Sequence, residues 1–175
     1  LAEQVAAVRG GTATRIRVPG GPLTEAEWEE VTALETLAHL DCQEGIADDA
    51  RAAQLARLPR LERLALRHSP LTDEGLGHLA TCRSLRALNL PQARCTRAGI
   101  EALARLPHLT SLRLGSPLLV SPAAPAAGAA NAAREEEEAE TTTPVSEDAS
   151  EEEGRALART LLRLASLRTL HLVDV

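Results

Sequence analysis

The sequence predicts an α/β solenoid of about six stacked strand–helix units, with a parallel sheet on the concave face and helices on the convex face. Three observations predict it. A short leucine pattern returns every 24 residues. Each copy is followed by a helix-start signal and by apolar residues at helical spacing. Apolar residues make up 44% of the chain and aromatics 1%. A globular core leans on aromatic bulk, whereas thin repeated layers can be filled by Leu, Ile, Val and Ala.

The strand half comes first in each unit. Leu61-Glu-Arg-Leu64-Ala-Leu66 returns as Leu85-Arg-Ala-Leu88-Asn-Leu90 and as Leu109-Thr-Ser-Leu112-Arg-Leu114. Stepping back gives Leu37-Ala-His-Leu40-Asp-Cys42 and Ala13-Thr-Arg-Ile16-Arg-Val18. Apolar and polar residues alternate in every copy, as in a strand with one buried face.

The helical half follows. Thr24, Thr72 and Thr96 stand at N-cap positions, and Thr24 with Glu27 makes a capping-box pattern. The pairs Trp28 and Val31, Leu76 and Leu79, and Ile100 and Leu103 lie one helical turn apart. One unit cannot bury its apolar side alone, so its neighbours must.

The last copy, Leu167-Arg-Thr-Leu170-His-Leu172, lies 58 residues after its predecessor, which is one period plus 34. The expected organisation is repeats over 1–119, an insertion over 120–149 and a final repeat over 150–175. The insertion is low in complexity, aromatic-free and rich in Ala, Pro and Glu, a composition that predicts disorder. Such a segment would serve either as a solvated loop or as an acidic tether for the concave face. Leu119 keeps the repeat position of Leu71 and Cys95. Ser150 with Glu153 reads as a second capping box, followed by Leu157, Leu161 and Leu164. The terminal units carry no evident polar cap, so the chain is expected to continue beyond one or both ends.

This pattern resembles the leucine-rich-repeat family. The helical half is similar to its ribonuclease-inhibitor-like members, with Ala98-Gly-Ile-Glu-Ala-Leu-Ala104 nearest to the bacterial Gly-Ala-Leu-Ala kind of 24 residues. The family's Asn or Cys position falls on Gly21, Gly45, Ser69, Ala93 and Pro117, none of which can rebuild a buried amide ladder. The resemblance implies a horseshoe that binds proteins and does not catalyse.

Charge is unevenly spread. Net charge is −6, but residues 115–153 hold ten acids and one Arg, so the remainder is mildly basic. All 19 basic residues are Arg, which reads as a coding bias alongside abundant Ala, Gly, Pro and Leu.

No catalytic or cofactor motif stands out. Cys42, Cys82 and Cys95 each replace a repeat Leu, so buried reduced thiols are expected, and with them a cytoplasmic location. The five His lack metal-ligand spacing, and the Gly pairs lack the spacing and Lys of a phosphate loop. No cofactor or metal is expected. There is no run of about 18 apolar residues to span a membrane. Trp28 reads as core. Asp48, Asp49, Glu29 and Glu30 read as ordinary helix surface.

The concave face is the candidate site. Residues flanking the buried strand positions point outward. They include Arg15 and Arg17, His39 and Asp41, Arg63, Asn89, Arg113 and His171, with Arg67 just beyond. Five Arg against one Asp favour an acidic protein partner. Nucleic acid fits less well, since stacking aromatics are absent and the basic excess is small. The alternative reading is the recognition arm of a larger enzyme, such as a ubiquitin-ligase-like effector or a nucleotide-driven sensor, whose catalytic part lies outside this chain.

Overall fold

A computed structural model describes residues 1–18, 20–43, 47–115, 155–156 and 158–173. Gly45, Pro117, Leu119, the 120–149 insertion, the Ser150–Glu153 capping box and Leu157 lie outside the described residues.

Among the described residues, helices and strands follow one another in repeating order. They are α1 (Ala2–Arg9), β1 (Arg15–Val18), α2 (Glu25–Thr32), β2 (His39–Cys42), α3 (Asp49–Leu55), β3 (Arg63–Leu66), α4 (Asp73–Leu79), β4 (Ala87–Leu90), α5 (Arg97–Leu103), β5 (Ser111–Gly115) and β6 (Thr169–Val173). Residues 158–162 are also helical. The strands form one parallel sheet in chain order. The fold is an α/β repeat solenoid.

Register follows the sequence period. Ile16 faces Leu40, Leu40 faces Leu64, Leu64 faces Leu88, and Leu88 faces Leu112. The sixth strand joins as the long repeat requires, with Leu112 opposite Leu170. These strand positions are buried from β1 to β5. Slipping any strand by one residue would turn its apolar set out to solvent, so the alternation fixes the register.

The helices close the core from the other side. Trp28, Val31, Leu76, Leu79, Ile100 and Leu103 are all buried. Cys42, Cys82 and Cys95 are buried and free, as their places in the repeat imply. Burial, with a smaller contribution from Asp41, pushes the Cys42 thiol up to about 12. Burial and then Asp73 push the Cys95 thiol up to about 11.

Thr24, Thr72 and Thr96 are N-caps, accepting from the backbone N–H of Glu27, Glu74 and Ala98. The Thr24–Glu27 capping box is complete, and its hydrogen bonds from Thr24 hold the Glu27 carboxyl below its ordinary range. Asp48 caps α3 in the same way.

Asp49 is more than the ordinary surface charge read from sequence. Its Oδ1 accepts from Thr72 N at 3.0 Å and its Oδ2 from Thr72 Oγ1 at 2.6 Å. One period later Asp73 does the same for Thr96, at 2.7 and 2.6 Å, and also accepts from Gly99 N at 3.1 Å. Each carboxylate thus ties the first turn of its own helix to the cap of the next. Glycine makes room for it. A Cβ on Gly75 would sit 2.2 Å from Asp49 Oδ1, and one on Gly99 would sit 2.4 Å from Asp73 Oδ1.

Two further details go beyond the repeat pattern. Ser69, at the family's Asn position, is buried, and its Oγ accepts from Ala47 N at 3.1 Å, a single rung where an amide ladder was not expected. At the outer edge of β1 the Gln4 side chain pairs with both backbone groups of Arg17, Oε1 accepting from Arg17 N at 2.7 Å and Nε2 donating to Arg17 O at 3.0 Å. Helix α1 therefore supplies a polar edge cover that the leucine pattern did not reveal.

Candidate functional site

The outward positions of the sheet form two columns, because neighbouring strands lie roughly 4.8 Å apart and alternate residues share a face. One column runs Arg15, His39, Arg63, Ala87, Ser111, Thr169. The other runs Arg17, Asp41, Ala65, Asn89, Arg113, His171. The inward residues between them are locked by the core, so these side chains stand on a rigid base.

Between the columns lies a shallow concavity of about 270 Å³. Six of the expected site residues line it: Arg15, His39, Asp41, Arg63, Asn89 and Arg113. Ala65 and Ala87 also line it, and their short side chains leave room between longer neighbours. Arg17, Arg67 and His171 are outside that lining. Arg67 follows β3 rather than lying in it, and it precedes His68, whose φ of 55° turns the chain toward the next helix. His171 is exposed on β6.

The electrostatics of the face are one-sided. Asp41 is its one acid, and Arg17 Nε stands 3.6 Å from Asp41 Oδ2. Arg17 is more than half exposed, so water screens the pair and it contributes little to stability. Arg51, Arg86 and Arg163 also make ion pairs, and none of them lines the concavity. Arg15, Arg63 and Arg113 have no such carboxylate neighbour among the described residues. Asp41 Oδ1 and Asn89 Oδ1 are shielded from solvent and have no protein donor. Buried acceptors left unpaired in this way are costly, and both sit beside Ala65 on the same surface.

The described face has many donors and one acid, which is paired through Oδ2. Among the described residues, no group of three His, Cys, Asp or Glu side chains is placed to hold a metal ion. No described helix is long and apolar enough to cross a membrane. Trp28, the one aromatic, is in the core with the Arg51 guanidinium 5.5 Å above its ring, so it offers no stacking platform on the sheet.

No family model and no curated protein sequence matches the chain. Among solved structures, leiomodin-1 actin-binding site 2 is similar, with a TM-score of 0.44 at 15% identity, over 97% of this chain and 77% of that one.

Proposed function

We propose that this chain is a protein-interaction module that offers its concave sheet face to an acidic protein surface and catalyses nothing itself. One observation carries the reading. Arg15, Arg63 and Arg113 project from a rigid parallel sheet into one concavity and are not neutralised by the chain's own described acids. Fixed, unpaired guanidinium groups favour a complementary acidic surface and speed its approach. The buried free thiols support a reducing, cytoplasmic setting. The Gly99-containing helix supports kinship with the bacterial Gly-Ala-Leu-Ala subclass.

Charge reversal tests the site. Proteins captured from lysate by the intact chain are compared with those captured by Arg63→Glu, by Arg113→Glu and by the convex control Arg105→Glu. Each concave reversal should weaken a direct partner by about tenfold, and roughly 0.5 M salt should do likewise, since such contacts are screened over a few ångströms. The convex control should bind normally. Partners retained equally by all three variants would place the interface elsewhere.

A further inference from the structure

We propose that Arg15, His39 and Arg63 form a docking site for a phosphorylated side chain on that protein partner. The proposal rests on the concave-face reading and narrows its chemistry. Parallel register sets the three residues side by side on β1, β2 and β3. All three line the same concavity, with Arg15 and Arg63 exposed and His39 half-buried between them. At about 4.8 Å per strand, the two arginines start roughly 10 Å apart. Their long stems let both guanidinium forks lean over His39 from opposite sides.

The two described acids close to this row are already engaged by other arginines. Asp41 lies two residues along β2 from His39, and Arg17 engages its Oδ2; Glu62 directly precedes Arg63, and its Oε1 stands 3.9 Å from Arg86 Nε. Neither Arg15 nor Arg63 has an ion-pair partner among the described residues. An incoming anion therefore meets two guanidinium groups that no described carboxylate occupies.

Donor arithmetic selects the anion. Two forks and one imidazole N–H can offer about five donors to one bound group. A carboxylate has two oxygens and about four lone-pair sites, so it leaves part of the set unmet. A phosphate monoester has three acceptor oxygens and a charge of about −1.5 to −2 at pH 7. The peptide carrying it has room to lie over Ala65 and Ala87, whose short side chains lower the face beside Arg63.

The test uses three probes in nuclear magnetic resonance titrations of the full chain: acetyl-Gly-phosphoserine-Gly-amide, acetyl-Gly-Glu-Gly-amide and inorganic phosphate. The phosphopeptide should shift the Nε–H signals of Arg15 and Arg63 and the His39 ring signals. It should bind at least tenfold more tightly than the other two probes. Arg15→Gln and Arg63→Gln should each weaken it about tenfold, and Arg105→Gln, an exposed residue after α5 that does not line the concavity, should leave it unchanged. Equal affinity for the glutamate peptide would overturn the phosphate assignment while leaving the acidic-partner reading intact. Equal affinity for inorganic phosphate would make this a free-anion site and overturn the proposal, as would shifts centred on Arg113. If no probe binds, the phosphate site falls, and charge reversal of the captured partner decides the broader reading separately.

Discussion

Two glycines in one short helix should respond in opposite directions to the same substitution. Gly75 and Gly77 both lie in α4. Replacing either by Ala improves helix propensity by about 1 kcal/mol. At Gly77 a new Cβ meets nothing within 4 Å, so Gly77→Ala should stabilise by about that amount. At Gly75 the new Cβ would lie 2.2 Å from Asp49 Oδ1 and 3.2 Å from Leu71 Cδ2. Asp49 must swing away, which breaks its bonds to Thr72 N and Oγ1. Hydrogen bonds to a charged group contribute about 1.5–3 kcal/mol each, and partial exposure puts these at the low end. The loss outweighs the gain in propensity, so Gly75→Ala should destabilise by roughly 2 kcal/mol.

Urea unfolding followed by far-ultraviolet circular dichroism reads both effects as midpoint shifts. A third variant isolates the cause. In an Asp49→Ala background there is no carboxylate to displace, so Gly75→Ala should lose its penalty. The coupling between the two positions should be roughly 3 kcal/mol, within the range for groups in direct contact. If Gly75→Ala stabilises as much as Gly77→Ala, or if its penalty survives in the Asp49→Ala background, the carboxylate tie is not what holds these helices together.

Other consequences follow from the same geometry. Gly115→Ala places a Cβ 2.3 Å from the Pro91 carbonyl oxygen, a backbone atom that cannot rotate aside, and should cost at least about 2 kcal/mol by urea midpoint. Leu64→Ala empties a position in the middle of the sheet that is 1% exposed, and should cost about 2–5 kcal/mol in the same assay. The thiols should make stability depend on alkaline pH. The folded chain holds its Cys42 and Cys95 protons up to about 12 and 11, while the unfolded thiols release theirs near 9. The unfolded state then binds fewer protons, so stability should be full below pH 9 and fall as pH rises from there toward 12. A Cys42→Ala, Cys95→Ala double variant should flatten that decline, and an unchanged slope would assign it to other groups.

The layered architecture was legible because both periods, two for strands and about 3.6 for helices, are written in Leu, Ile and Val. Leu170 could be aligned with Leu112 across 58 residues for the same reason, and the sheet register agrees. The concave arginines were legible as well, since alternation assigns a face before any coordinates are known. What could not be read were contacts between polar side chains in different repeats. Asp49 and Asp73 look like first-turn acids that answer a helix dipole, and nothing nearby in sequence shows that each reaches a threonine 23 residues on. A repeated glycine was the available signal. Gly75 and Gly99 recur one period apart inside helices, where glycine is unfavourable, and such a residue commonly marks a close approach. Ser69 and Gln4 gave no such signal, because each acts once, at a single position in the stack.

The carboxylate ties also have a direction and an end. They join α3 to α4 and α4 to α5, but the next position in the series is Arg97, which has no carboxylate to offer. Past α5 the helical side is bridged instead by an exposed pair, Arg163 with Glu101. In a linear array, overall stability is set by the joints between neighbours. This array has two stiff joints in its middle and a softer one after the fifth strand. Under rising denaturant the residues around β6 should melt as a separate, earlier unit, while α3, α4 and α5 leave together. The sheet bearing Arg15, His39 and Arg63 would then remain standing after the chain's last strand has come away.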